Sequence, residues 1–320
     1  MAVPQVGQKT PFITRPLFLE GITRAGKFVL ANLVAAIHDV EPMQYHGLLE
    51  QIPFLTQAGL IDRRTAQQVL QCEVDARAYE LVIGRNLNRR RADKSSIYGY
   101  PDSARFLQRA EEADTAKLVT AFQKERRYSF FILHEASSFV SMYHDTFPKM
   151  KWIQLSRHPV DLVSSWFERG HGRRWGTDPL LLQIPLASRR GSVPWFAADW
   201  RKRWQVSYHQ LSEMDRVVLS VLTLMQRQEK SMSSFAKEAK SSLLRVRFEQ
   251  LLLQPDVVVT KLSRFLRKPV RPELAEILRR EKLPADPAKA RTEKLAKIRR
   301  LTSARYYDKL LSAVQAYEGE

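Results

Sequence analysis

The chain has 320 residues, 44% hydrophobic and 10% aromatic, enough to bury one large core, which excludes a disordered or fibrous chain. Its formal net charge of +18 points to an anionic partner, although charge of this kind informs on association and not on fold. One cysteine, Cys72, excludes an internal disulfide, and no apolar run reaches the roughly 18 residues of a membrane span, so a single soluble cytoplasmic domain over 1–320 is expected.

Residues 17–21 form a short apolar run behind Pro16, and 27–37 carry apolar side chains at helical spacing (Phe28, Val29, Leu33, Ile37). This reads as strand, loop and helix. The junction holds Gly21, Thr23, Arg24, Ala25, Gly26, Lys27 and Phe28 in a Gly-x-x-x-x-Gly-Lys segment, the spacing of a phosphate-binding loop. Glycine lets the backbone approach an anion's oxygens, while the free amides and dipole at the helix start attract its charge. A chance glycine turn is the plainer alternative. A magnesium-dependent phosphoryl-transfer enzyme needs Ser or Thr after the lysine, and Phe28 stands there, which disfavours a kinase.

Residues 47–123 read as a mostly helical insertion, broken at Tyr98-Gly99-Tyr100-Pro101-Asp102 and placed to contribute to an acceptor cleft. Within it Arg89, Arg90 and Arg91 follow Asn86 and Asn88, either as a solvated helix end or as the lining of a cleft for an acidic or sugar-like molecule. Two further strands, 128–133 and 151–155, each lead through a polar loop into a helix. A third, 243–248, precedes helical residues 249–266. Strands alternating with helices imply an α/β three-layer sandwich with a central, mostly parallel sheet, like that of phosphate-loop NTPases, and ligands outside the carboxyl ends of the strands. Residues 268–320 form a basic helical C-terminal extension. Residues 261–310 hold 16 Lys or Arg against 6 Asp or Glu, with proline breaks at 269, 272, 284 and 287. The seven histidines and Cys72 show no zinc-like spacing, so no metal is expected.

The second anion segment lies at the end of the 151–155 strand. Arg157 follows the strand, and Pro159 opens a helix carrying Ser164 and Ser165 in its second turn. A planar guanidinium fork and a hydroxyl suit a phosphate monoester, and Asp161 is suited to hold the loop through backbone amides or an arginine. Tryptophans at 175, 195 and 200 are available to stack on a sugar or adenine, or to pack beneath a loop.

These segments, in this order, resemble the sulfotransferase family that uses 3'-phosphoadenosine 5'-phosphosulfate (PAPS). Arg157, Pro159, Asp161 and Ser165 fill its Arg-x-Pro-x-Asp-x-x-x-Ser pattern for the 3'-phosphate. Arg24 and Gly26 match its 5'-phosphosulfate segment, whereas Lys27 and Phe28 stand where members usually carry Thr or Ser. Residues 245–256 resemble its late strand and helix, with Phe248 in place of Tyr.

The resemblance, which runs from Pro16 to about Leu266, implies metal-independent transfer of a sulfuryl group from PAPS to an acceptor hydroxyl or amine, leaving adenosine 3',5'-bisphosphate. Arg24 and Lys27 would then stabilise the leaving phosphate. A hydroxyl acceptor needs a general base, and four residues are candidates. His134 and Glu135 follow the 128–133 strand, comparable to the catalytic histidine of cytosolic-type members. Glu41 and His46 lie where protein- and heparan-type members carry a glutamate. A phosphate-loop kinase and a non-enzymatic nucleic-acid-binding protein are the alternatives; the charge permits the second, but no recognised nucleic-acid motif is present.

Overall fold

The strand β1 (Leu17–Gly21) is buried along its whole length, because parallel strands on both sides and helices on both faces cover it. The computed structural model describes residues 6–281, 286 and 288–319; the expected breaks at Pro284 and Pro287 lie outside them. After β1 come α1 (Lys27–Val34), the edge strand β2 (Gln44–Tyr45), and four helices, α2 (Leu48–Gln57), α3 (Arg63–Val82), α4 (Ser103–Gln108) and α5 (Thr115–Glu125). The chain returns through β3 (Phe130–His134), α6 (Val140–Thr146), β4 (Lys151–Ser156) and α7 (Pro159–Glu168). A separate antiparallel hairpin, β5 (Leu186–Ser188) and β6 (Gly191–Val193), and α8 (Trp200–Trp204) precede the long α9 (Glu213–Glu238). The last elements are β7 (Leu243–Arg247), α10 (Phe248–Leu253), α11 (Pro255–Leu266), α12 (Leu274–Glu281), α13 (Arg291–Leu301) and α14 (Ala304–Gly319).

The five-stranded sheet has the order β2-β3-β1-β4-β7, with every pairing parallel. This is the α/β architecture expected from the alternation of strands and helices. The connection leaving β1 runs to one side of it and the one leaving β3 crosses to the other, which opens a crevice at the carboxyl end of β1. Register decides what gathers there. Gly21 lies opposite His134 of β3 and Leu155 of β4, so the loop after β1, the His134 ring and Arg157 meet at one edge.

Phe18 anchors the core beneath that edge, its ring 5.1–5.9 Å from those of Phe131, Tyr143, Phe147 and Trp152. Burying a side chain of this size contributes about 2–3 kcal/mol. The helix after the 21–27 loop stops at Val34, three residues before the sequence pattern ends. Ile37 bridges to Val270 and the His38 amide donates to the Pro269 carbonyl, so tertiary pairing draws the chain out of the helix. Asp62 caps α3 by accepting from the Thr65 amide, and Pro159 at the first turn of α7 needs no amide partner.

Candidate active site

The loop between β1 and α1 is shaped by two left-handed residues, Arg24 (φ 74°) and Gly26 (φ 100°). Glycine is required at 26 for a second reason: a Cβ there would lie 2.2 Å from the Phe248 ring. Helix α1 then begins at Lys27 with no side-chain cap and no acidic residue in its first turn, which keeps its positive end available to an anion. Trp166 of α7 fixes the loop from outside by donating its indole N–H to the Thr23 carbonyl at 2.7 Å.

Arg24, Arg157 and Ser165 come together at this loop. Arg24 Nε donates to Ser165 Oγ at 2.9 Å, and a terminal nitrogen of Arg157 donates to the Arg24 carbonyl at 2.7 Å. The Arg157 guanidinium lies 4.7 Å from the Phe248 ring centroid, and its Nε is buried without a partner. Burial lowers the pKa of Arg157 from its usual range, against the pull of Asp161 and Glu249. Burial also lowers that of Arg24, assisted by Arg169 and Arg157. An orphaned, charged donor beside a second guanidinium is the observation that fits an absent phosphate. Arg157 also borders a cavity of about 400 Å³ flanked by Phe248, Lys289 and Lys294. Asp161 meets the expectation of an arginine partner: it bonds Arg291 at 3.0 Å and Lys294 at 2.6 Å, both on α13. Although burial raises its pKa, those two cations outweigh it and hold the carboxyl below its ordinary value.

Lys27 turns the other way. Its ammonium is buried beneath the loop and donates to the carbonyls of Gly21 and Ile22. Burial lowers its pKa, while Glu135, Glu20 and Glu50 favour the charged form. Glu20, fully buried in β1, accepts from Ser137 and Gln228, and desolvation raises its pKa to about 7. Glu135 accepts from the Thr23 amide and from Gln183, which ties the end of β3 to the loop after β1.

Of the four candidate bases, Glu135 and His134 border a cavity of about 550 Å³ that also touches Thr23 and Phe28; Glu135 is engaged by the Thr23 amide and Gln183, which leaves His134. Its Nδ1 lies 2.9 Å from Oε1 of Glu50, which also accepts the His134 backbone N–H at 2.6 Å. Desolvation lowers the His134 pKa to about 3, with Lys27 adding to the effect, and raises that of Glu50 to about 8. The ring is therefore neutral at pH 7. A neutral ring held at Nδ1 presents Nε2 as its free lone pair.

Glu41 and His46 do not border this cavity. Glu41 is 1% exposed and bonded to both Arg109 and Arg127, a fold-supporting network. His46 Nδ1 lies 2.7 Å from Glu73 of α3. Of the helical stretch, Asn86 and Asn88 border the cavity while Arg89, Arg90 and Arg91 are solvent-exposed. Trp175, Trp195 and Trp200 all belong to the core, and of the three Trp175 also borders the cavity. Glu50 was missed in the sequence; its signal is an acidic residue among the buried Leu49, Ile52 and Pro53 of α2.

Fold and site together define an α/β protein with a phosphate-type loop, a second cationic segment and a neutral histidine on one sheet edge. No family model matches the chain, and no curated protein does. Solved structures that match it include several sulfotransferases. The sulfotransferase domain of a Synechococcus olefin synthase is 14% identical, with 98% of each chain covered and a TM-score of 0.45. A sulfotransferase from Alicyclobacillus acidocaldarius is 13% identical, covering 95% of this chain and 96% of that one at a TM-score of 0.39. Retinol dehydratase, solved with androsterone and the inactive cofactor PAP, is also 13% identical at a TM-score of 0.39, covering 95% and 81%. The likeness is one of fold.

Proposed function

We propose that the chain is a sulfotransferase that takes its sulfuryl group from PAPS and delivers it to an acceptor hydroxyl. The observation that carries this reading is the meeting of Arg24, Arg157 and Ser165 at an uncapped helix start, one strand away from a neutral histidine. The bound nucleotide would supply the sulfuryl group and leave as adenosine 3',5'-bisphosphate. Amides at the start of α1 and the Arg24 guanidinium would bind its 5' end, and Arg157 and Ser165 its 3'-phosphate. His134 Nε2 would accept the acceptor's proton as the new oxygen–sulfur bond forms, and return it to solvent afterwards. Lys27, beneath the loop, would hold its carbonyls in place and add positive potential there. Phe28 replaces the magnesium-binding hydroxyl of a kinase and borders the cavity instead, which supports metal-independent binding.

Calorimetric titration with adenosine 3',5'-bisphosphate tests the reading. Binding that persists in EDTA and exceeds that of ATP is expected. Binding of magnesium-ATP alone would replace the proposal with a kinase, and binding of DNA alone with a nucleic-acid partner.

A further inference from the structure

The amino-terminal edge of the sheet, at the other end of the strands from the loop after β1, holds a cavity of about 680 Å³. Its wall comes from the segments that enter three strands: 11–15 before β1, 122–127 before β3 and Lys149 before β4. β3, β1 and β4 are neighbours in the sheet, so these entries stand side by side at steps of about 4.8 Å. Each delivers a cation to the cavity: Arg126, Arg15 and Lys149. Beneath them Phe12 and Phe122 pack ring to ring at 5.6 Å, which fixes the floor.

The cations are not neutralised from within the cavity, for no carboxylate is among the described residues that line it. Arg127, also in the wall, is committed to Glu41 and to Asp39. Arg15 donates to the Tyr128 hydroxyl at 2.8 Å and lies 5.0 Å from that ring's centroid, contacts that hold its position without balancing its charge. Arg126 and Lys149 are exposed, and neither has an acidic partner among the described residues. Glu125, beside Arg126 in sequence, accepts instead from Arg105 at 2.6 Å. Arg126 and Lys149 follow the carboxyl ends of α5 and α6, whose dipoles offset roughly half a charge each, so the cluster stays positive.

A second observation comes from the flank of the cavity. Lys151, the first residue of β4, has its pKa lowered by burial and then by Arg267 and Arg15, with no carboxylate acting against them. Three more cations of the same edge thus repel one another. Fixed like charges concentrate an opposite charge from solution, and several close together favour a ligand that presents several anionic groups over a single anion.

We propose that this cavity binds a small polyanion carrying two or more closely spaced phosphate or sulfate groups, held by Arg15, Arg126 and Lys149. It lies a strand's length from the loop after β1, about 16 Å for five residues, so its ligand does not meet the reacting groups placed there. The site is independent of the sulfuryl-transfer reading.

Calorimetric titration of the full chain tests this, with amide shifts recorded by NMR to locate the ligand. Tripolyphosphate carries the phosphate arm and sucrose octasulfate the sulfate arm, each set against its single anion, orthophosphate or sulfate. At least one polyanion should bind saturably and about tenfold or more tightly than its single anion, and the arm that binds tells phosphate from sulfate. Shifts should centre on 12–15, 123–126 and 149. Arg126→Gln combined with Lys149→Gln should weaken binding about tenfold or more while the melting temperature holds, because both side chains are exposed. The charge-keeping pair Arg126→Lys and Lys149→Arg should bind within about threefold of wild type. No binding of either polyanion, no preference over the single anion, or unchanged affinity in the glutamine variant would overturn the assignment. Shifts confined to 21–28 and 157–165 would overturn it as well and give the anion to the other edge of the sheet.

Discussion

Glu50 orients His134 through two contacts on one oxygen, and its replacement separates positioning from folding. Glu50→Ala leaves the buried His134 amide without an acceptor, costing about 1–3 kcal/mol of stability. It also frees the ring to choose its tautomer and rotamer. If half of that cost is felt as lost alignment at the reacting hydroxyl, kcat falls roughly two- to tenfold. Glu50→Gln keeps an oxygen in the same place, so its kcat should stay within a few-fold of wild type. The pH profile discriminates further. Glu50 titrates near 8 in the folded protein, so wild-type kcat should change as pH rises through 8, where a carboxylate appears beside His134. Glu50→Gln should lose that inflection. The acid side should show no fall near 6.5, because desolvation keeps His134 neutral down to about pH 3. Initial rates from pH 5 to 9, with ring nitrogen shifts followed by NMR, read both effects. Full kcat in Glu50→Ala, or an unchanged inflection in Glu50→Gln, would refute the positioning role.

Arg157→Ala should weaken adenosine 3',5'-bisphosphate binding by roughly 10-fold to more than 100-fold, since a charge-assisted hydrogen bond contributes about 1.5–3 kcal/mol. Adenosine 5'-phosphosulfate, lacking the 3'-phosphate, is the control; equal losses for both ligands in calorimetry would move Arg157 to the 5' end or to the fold. Gly26→Ala combines a left-handed backbone with a collision against Phe248, so a melting temperature lowered by several degrees and loss of nucleotide binding are expected. Glu20→Gln probes the buried carboxyl whose folded pKa, about 7, exceeds its value of 4.5 in the unfolded chain. The folded state holds this proton more tightly, so wild-type stability falls between about pH 4.5 and 7 and then levels off. Between pH 5 and 8 the stability difference should shift toward the mutant by up to about 3 kcal/mol, read from denaturant melts; no shift would mean that Glu20 stays ionised through this range.

The local part of this protein is written in its sequence. Apolar runs of strand length at 17–21 and 151–155, with helical spacing after each, dictate strands and helices because covering both sheet faces requires that pattern. Gly21 and Gly26 mark the loop, and Arg157 with Ser165 marks a second segment eight residues apart on a strand end and helix. The short β2 does not stand out, since two residues carry no period.

Side-chain direction was decided by tertiary structure. Lys27 turns under its loop because Glu20, Glu50 and Glu135 arrive from three separate segments to receive its charge. Glu41 is consumed by Arg109 and Arg127, 68 and 86 residues away, whereas Glu50 reaches His134 across 84. A carboxylate's role depends on which partner the fold delivers and how much water it removes. Sequence spacing carries neither quantity, and only the packed chain supplies both.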